Sequence, residues 1–318
     1  MEAGTEEHAT LRMTVKRIAS LLPSTTEIAC ALGFEDRLVG RSHECDHPAS
    51  VVSLPALTAP KLDSDTSSRT IDDRVKQLVR EGLSVYRVDA ERLRALAPDV
   101  ILTQDQCEVC AASLGDVEEA LSAWTGGAPR LVSLSPATLG DVWVSFSRVA
   151  DALGAPERGL SLATELANRI TEVAERTQRM RSRPRIACIE WLDPLMVAGN
   201  WVPELVTLAG GENLLGKAGS PSRWLAANEL AAADPDVIVV LPCGFDLPRT
   251  RAELADIVRA PDWQRLRAVR EGRIAIVDGN QYFSRPGPRL VESLQILAEI
   301  LHSKEFDPEH RGTGWAPF

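Results

Sequence analysis

Two histidines, a cysteine, a glutamate and an aspartate fall within residues 41–48, RSHECDHP, of a chain that holds only five histidines and six cysteines. Residue types of this kind at this density can do one of three things. Cys45 and His43 or His47, with the Cys107-x-x-Cys110 pair further on, could supply a Cys3His or Cys2His2 set of the sort that holds zinc or iron. His43 beside Glu44 could serve as a general base. Alternatively the run, with Glu44 and Asp46, presents polar groups at the rim of a ligand pocket. The cysteine pair also has a plainer use, as small fillers at a helix start.

Catalysis has little else to work with. The chain has no GxSxG, GxxxxGK[ST] or GxGxxG motif. No nucleophile in a strand-turn-helix setting accompanies His43, and redox CxxC pairs usually sit in a thioredoxin-like unit, which the surrounding pattern does not resemble. The chain is therefore expected not to be an enzyme.

The elements that must position these residues alternate short β-branched runs with longer helical patterns, the signature of α/β architecture. The run at 17–23 is followed by Ser24-Thr25-Thr26-Glu27, read as a hydroxyl helix cap with an acidic partner three residues on. Strands are expected at 36–41, 83–88 and 99–104, the first leading into RSHECDHP and the last into the loop with Cys107 and Cys110. The second half repeats this grammar: 185–191 resembles 17–23, 229–246 matches the helix, Pro-Asp, strand and cysteine loop that ends at the CxxC, and 272–288 matches the strand and polar loop of 36–48. Between the halves apolar residues recur at helical spacing, with a break at Gly154-Ala155-Pro156 and then one helix of roughly 25 residues, long enough to act as a stiff strut. The expectation is two Rossmann-like lobes with parallel-rich sheets, at 16–135 and 184–302, joined by a helical linker at 136–183. A leader at 1–15 and a tail at 303–318 flank them.

Loops leaving the carboxyl ends of parallel strands gather on one edge, where ligands bind. That rule places Ser24, Thr25, the 41–48 loop and Gln104 on the edge of the first lobe. On the second it places Glu190, Trp191, Asp193, Cys243, Tyr282, Phe283 and Arg285. If both edges face inward, they line a cleft together with Asn200 and Trp201, a usual form of small-molecule site. Arg285 is a candidate anchor for a carboxylate or phosphate, and Arg289 reads as a solvated charge.

The totals agree with a two-lobed globular protein. At 318 residues, 44% hydrophobic and 25% charged, the chain has material for two domains of about 150 residues each. A net charge of -10 without clustered Lys and Arg argues against a nucleic-acid partner. No run is long enough for a membrane span. The acidic leader has the wrong charge for a signal peptide, and Pro23 soon interrupts the apolar run after Lys16-Arg17, so a cytoplasmic monomer is expected, with Met13 as an alternative start.

RIASLLPSTTEIACALG, APDVILTQ, the long middle helix, VAGNWVPELVTLAGGENL, DPDVIVV and REGRIAIVDGNQYFSRPGPRLVE together resemble the helical-backbone metal receptor superfamily over residues 16–302. SLLPSTTEI and GRSHECDHP are most similar to its cobalamin-binding branch. The resemblance implies a solute-binding protein for cobalamin or a related metal chelate or tetrapyrrole, clasped with little closure, and an ABC permease as partner. The absence of an export signal and the Cys/His-rich rim depart from that pattern. The rim leaves open a cytoplasmic metalloprotein or metal-dependent enzyme on the same scaffold. Within the resemblance, His43 is the first candidate to coordinate a corrin cobalt, with Cys107 or Cys110 next, and Trp191, Trp201 and Tyr282 would pack on the corrin plane.

Overall fold

The short apolar run at 18–20 becomes β1 (Ile18–Ser20) in the computed structural model, which describes residues 15–81, 83–105, 114–122, 128–226 and 228–318. It is followed by α1 (Pro23–Ala31), β2 (Leu38–Arg41), β3 (Thr58–Pro60), α2 (Ser68–Arg80), β4 (Tyr86–Val88), α3 (Ala90–Leu96), β5 (Val100–Gln104), α4 (Leu114–Ser122) and β6 (Arg130–Leu134). Four of these strands form a parallel sheet in the order β2-β1-β5-β6. Every residue of β1 and β5 is buried, as strands covered on both faces require.

Two local expectations change. The run at 83–88 contributes no strand to this sheet; Tyr86–Val88 pairs antiparallel with Thr58–Pro60 in a separate two-stranded sheet. Its half-exposed pattern around Arg87 could not be covered on both faces. In α1 no hydroxyl caps the helix: the cap position is Leu22, Pro23 takes the first turn, and Glu27 turns elsewhere.

The link consists of α5 (Leu139–Ala152), closed at its start by a Thr138–Asp141 capping box, and α6 (Pro156–Gln178). With 23 residues α6 is about 35 Å long. Phe146, Leu153, Leu166 and Ile170 of the link share one buried cluster with Ile18 of the first lobe and Leu294 of the second. The lobes are thus packed onto the strut through a continuous core.

The second lobe runs β7 (Arg185–Trp191), β8 (Met196–Val197), α7 (Val202–Leu208), β9 (Glu212–Asn213), β10 (Arg223–Trp224), α8 (Glu229–Ala233), β11 (Val237–Val240), α9 (Leu247–Val258), α10 (Pro261–Gln264), α11 (Arg267–Arg270), β12 (Ile274–Val277), α12 (Leu290–Leu301) and β13 (Trp315–Pro317). Its sheet has the order β10-β8-β7-β11-β12-β13, with β9 also on β7, and its centre, β7, β11 and β12, is parallel. The architecture is therefore the two-lobed α/β plan with a long helical link.

Residues 303–318, read from the sequence as a tail, carry β13, which adds an antiparallel strand to β12. Glu299 of α12, 3% exposed, holds this segment by accepting from His310 Nδ1 at 2.6 Å and Trp315 Nε1 at 2.6 Å. Glu299→Ala should strand the buried Trp315 indole and the half-buried His310 donors, its backbone N–H included, and cost about 2 kcal/mol in urea unfolding. Amide exchange should accelerate in 310–318 while β11 keeps its protection; uniform protection in both segments would refute this role.

Candidate ligand site between the lobes

The exit loops of the two sheets meet at the base of the cleft. Arg285, 6% exposed, donates from Nη1 to Asp46 Oδ1 at 2.5 Å and from Nη2 to Asp46 Oδ2 at 3.1 Å. The same Nη1 lies 3.1 Å from Glu27 Oε1, and Arg289 clamps Glu27 at 2.9 Å from Nε and 2.5 Å from Nη2. Asn280 completes the junction by donating to Asp46 at 3.0 Å and accepting from Arg285 at 3.1 Å. Gly279 permits this: a Cβ there would lie 2.1 Å from the carbonyl oxygen of Pro242. Burial opposes the charge on Asp46, and the paired guanidinium more than offsets it, holding the carboxyl below its ordinary range. Arg285 is thus not a free ligand anchor but the joint between the lobes, and Arg289 is paired and mostly buried rather than a solvated charge.

The turn that starts α1 lies against this joint and is closed to a ligand. Thr25 is fully buried, bonded to Ser20 Oγ at 2.7 Å and to the Leu22 carbonyl at 3.2 Å, and Ser24 is 3% exposed. The two hydroxyl residues expected at the cleft edge instead build the turn. Cys45 is also internal, at 1% exposure, with Sγ 3.1 Å from Thr26 Oγ1. Burial pushes its thiol up to about 11, so it is protonated at neutral pH. Cys107 and Cys110 lie outside the described residues. Among the described residues no three His, Cys, Asp or Glu side chains converge as an ion-holding group.

His43 stands apart from this closed chemistry. Its Nδ1 is 2.8 Å from Thr58 Oγ1, which also accepts the His43 backbone N–H at 3.1 Å and donates its own proton to Ser42 Oγ at 3.0 Å. With the Thr58 proton committed to Ser42, Nδ1 must be the donor. The imidazole is therefore the Nδ1–H tautomer, with its lone pair on Nε2, for which no hydrogen-bond partner occurs among the described residues. Burial, aided by Arg41, lowers its pKa to about 4 and keeps the ring neutral at physiological pH. The Tyr86 ring lies 5.3 Å away, and its hydroxyl donates to Glu44 Oε1 at 3.0 Å. Burial pushes the Glu44 carboxyl up, against the pull of that hydrogen bond.

On the second lobe Trp191 is half-buried and Phe245 is fully buried behind it. Trp191 packs at 5.4 Å on Phe245, and the Arg249 guanidinium lies 3.6 Å from the centroid of the Phe245 ring. The Glu190 carboxylate accepts from Ser222 at 2.8 Å, and the half-buried Cys243 donates its backbone N–H to the Glu190 carbonyl at 3.4 Å.

Gln104 is 8% exposed at the carboxyl end of β5. Asp193 pairs with Arg69 of α2, and the Trp191 indole N–H donates to the Ser68 carbonyl at 3.3 Å.

Of four further residues expected in the cleft, two lie in the core and two are half-buried and held by local contacts. Trp201 is 5% exposed and donates from Nε1 to the Phe283 carbonyl at 2.8 Å, and Phe283 is 1% exposed, so both aromatics belong to the core behind α7 and α12. Asn200 occupies a left-handed turn with φ 50, its N–H donating to the Ser220 carbonyl at 2.7 Å. Tyr282 packs edge-on to His310 and beneath Arg289. Conversely, Thr58, Tyr86, Arg249, Asn280 and the docked α2 were missed. The one local signal was the aromatic in 83–88; the rest depend on contacts distant in sequence.

A cavity of about 710 Å³ opens beside the joint, lined by Asp246, Arg251, Asp278, Asn280 and Gln281. Another of about 770 Å³ lies behind α7, against Arg183 and Glu204. His43 and Trp191 line neither, and the start of α2 occupies the space at the Trp191 indole.

The sequence profile of the family described as periplasmic binding protein matches residues 18–280. A vitamin B12-binding protein of Yersinia pestis is 26% identical over 303 residues, covering 91% of this chain and 87% of its own. An uncharacterized ABC transporter substrate-binding lipoprotein of Bacillus subtilis is 22% identical over 313 residues, covering 96% and 86%. The solved apo form of a periplasmic heme-binding protein from Roseiflexus sp. matches in fold with a TM-score of 0.68 at 23% identity, covering 92% of this chain and 99% of that one. These matches give no support to the cytoplasmic location expected from the sequence. Among the described residues no helix is long and apolar enough to cross a membrane. With its two parallel-cored lobes on a helical strut and its exit loops meeting between them, the chain belongs to the periplasmic binding protein family, in the class III, helical-backbone metal receptor group.

Proposed function

We propose that this protein is the solute-binding component of an ABC-type importer and that its ligand is a metal tetrapyrrole, cobalamin first, held between the lobes. The observation that carries this reading is His43: a neutral imidazole whose tautomer is set by Thr58, leaving Nε2 as a lone-pair donor. A second group that orients an imidazole in this way is the usual support of a metal-ligating histidine. The half-buried Trp191, backed by the buried Phe245, supplies an aromatic on the second lobe against which a macrocycle could pack. The Yersinia relative, a vitamin B12-binding protein, favours cobalamin within the class. A protein-held zinc or iron cluster draws no support from Cys45, whose thiol is buried against Thr26.

Titration of the purified protein with hydroxocobalamin, followed in the visible spectrum, tests the reading, with hemin titrated in parallel and elemental analysis of the untreated protein. A stoichiometric shift of the corrin bands is expected. A shift with hemin alone would keep the tetrapyrrole class and exclude cobalamin. Zinc or iron retained through dialysis, with neither spectrum altered, would overturn the reading.

A further inference from the structure

α2 bridges the two lobes at the mouth of the cleft. The Ser68 N–H donates to Glu253 Oε1 at 2.7 Å, Arg69 pairs with Asp193, and Arg249 donates to the Thr66 carbonyl at 2.8 Å. The Trp191 indole N–H is taken up by the Ser68 carbonyl, and the Lys76 ammonium lies 5.0 Å from the centroid of the Trp224 ring. Yet α2 is poorly fastened to its own lobe: its buried residues are Ser68, Asp72 and Leu78, only one of them apolar. It is an excursion from the separate β3–β4 ladder rather than a layer on the main sheet.

The two ends of the interlobe contact differ in kind. At the base, Glu27 and Arg285 are buried and joined by paired charges, so separating them would strand charge away from water. At the mouth, Arg69 and Asp193 are 52% and 44% exposed, a pair that solvent can replace. The docked contact also leaves the fully buried Ser68 Oγ and Thr250 Oγ1 without a hydrogen-bond partner among the described residues. Opening at the base is opposed, whereas undocking α2 exchanges one exposed ion pair and three half-buried hydrogen bonds for water and relieves two orphaned hydroxyls.

We infer that residues 61–81 form a gate that swings from the second lobe to admit ligand and closes over it, while the lobes stay fixed on their strut. The gate acts on the site proposed above and rests on that reading for its ligand. Its stem is also the support of the histidine: β3 carries Thr58, which orients the imidazole, and β4 carries Tyr86, which packs on the imidazole and holds Glu44. Gate position and histidine geometry are therefore mechanically linked through the same two strands.

Hydrogen–deuterium exchange on the intact ligand-free protein, compared with Asp193→Ala/Glu253→Gln, tests the gate without a ligand. The double variant should speed exchange across 68–80 about fivefold, with α12 unchanged. Exchange across 68–80 that the variant does not accelerate, or that rises equally in α12, would overturn the gate. Stopped-flow mixing with hydroxocobalamin supplies the second reading: the variant should raise both association and dissociation rates, and binding with unaltered rates would also refute the gate. If hydroxocobalamin binds neither protein, the cobalamin reading falls and the exchange result alone decides the gate.

Discussion

Arg285→Met should lower stability by about 3 kcal/mol, read as a fall in the urea midpoint at an unchanged slope. The side chain is 6% exposed and pairs with Glu27, itself 2% exposed, so its loss leaves a carboxylate buried short of a partner. Two features hold the cost at the lower end of the range for a broken buried pair. Asp46 is 44% exposed and can rehydrate, and Arg289 still clamps Glu27. Arg285→Lys should recover only part of the loss, because an ammonium cannot make the two parallel bonds to Asp46 that the guanidinium makes. Adding Asp46→Asn to Arg285→Met should cost little more, since the carboxylate has already lost its partner. The Asp46 carboxyl is held below its ordinary range, so its contribution persists above that range and is lost as pH falls through the lowered pKa. A loss below about 1 kcal/mol for Arg285→Met would show that the joint is loosely solvated and that the lobes are free to part at their base.

How much of this could be read from the chain divides along a physical line. β1, β5 and β11 were legible because strands covered on both faces must be apolar throughout, and α6 because its spacing and Pro156 state its start. The loops that leave the strands were legible, but where their side chains turn was not. Residues 41–48 follow β2 as the strand pattern implied, yet that pattern could not say that Cys45 turns inward to Thr26 while His43 stays half-buried. Trp201 and Phe283 look like ligand aromatics in sequence, but the start of α7 and the turn before α12 pack against one another and take both into the core. Arg285 and Glu27 lie 258 residues apart, and no local pattern announces such a pair. The same holds for α2, whose partners Glu253, Asp193 and Arg249 are on the other lobe.

His43→Ala should weaken hydroxocobalamin binding by about 100-fold or more and abolish the change in the corrin bands, while leaving the urea midpoint nearly unchanged because the ring is half-exposed. Thr58→Val is the sharper variant. It keeps the shape of β3 but removes the acceptor that holds Nδ1–H, so the imidazole can turn or change tautomer, and a loss of about 10–100-fold is expected with His43 still present. The pH dependence separates coordination from simple packing. A proton competes with the metal for Nε2 only when the free imidazole titrates, and burial has lowered that pKa to about 4 from an ordinary 6.5. Affinity should therefore be flat from pH 8 to about 5 and fall only as pH approaches 4, whereas an unperturbed histidine would lose affinity from about pH 6.5 downward. The same shift has a stability sign. Between 6.5 and 4 the unfolded chain binds the proton and the folded one does not, so this group's stabilising contribution is complete above 6.5 and is lost as pH falls toward 4. Thr58→Val, by loosening the burial of the ring, should move the onset of both effects to higher pH. An affinity profile that breaks near 6.5 in the wild type, or one that ignores His43→Ala altogether, would remove the imidazole from the metal and leave it a polar group on the cleft wall.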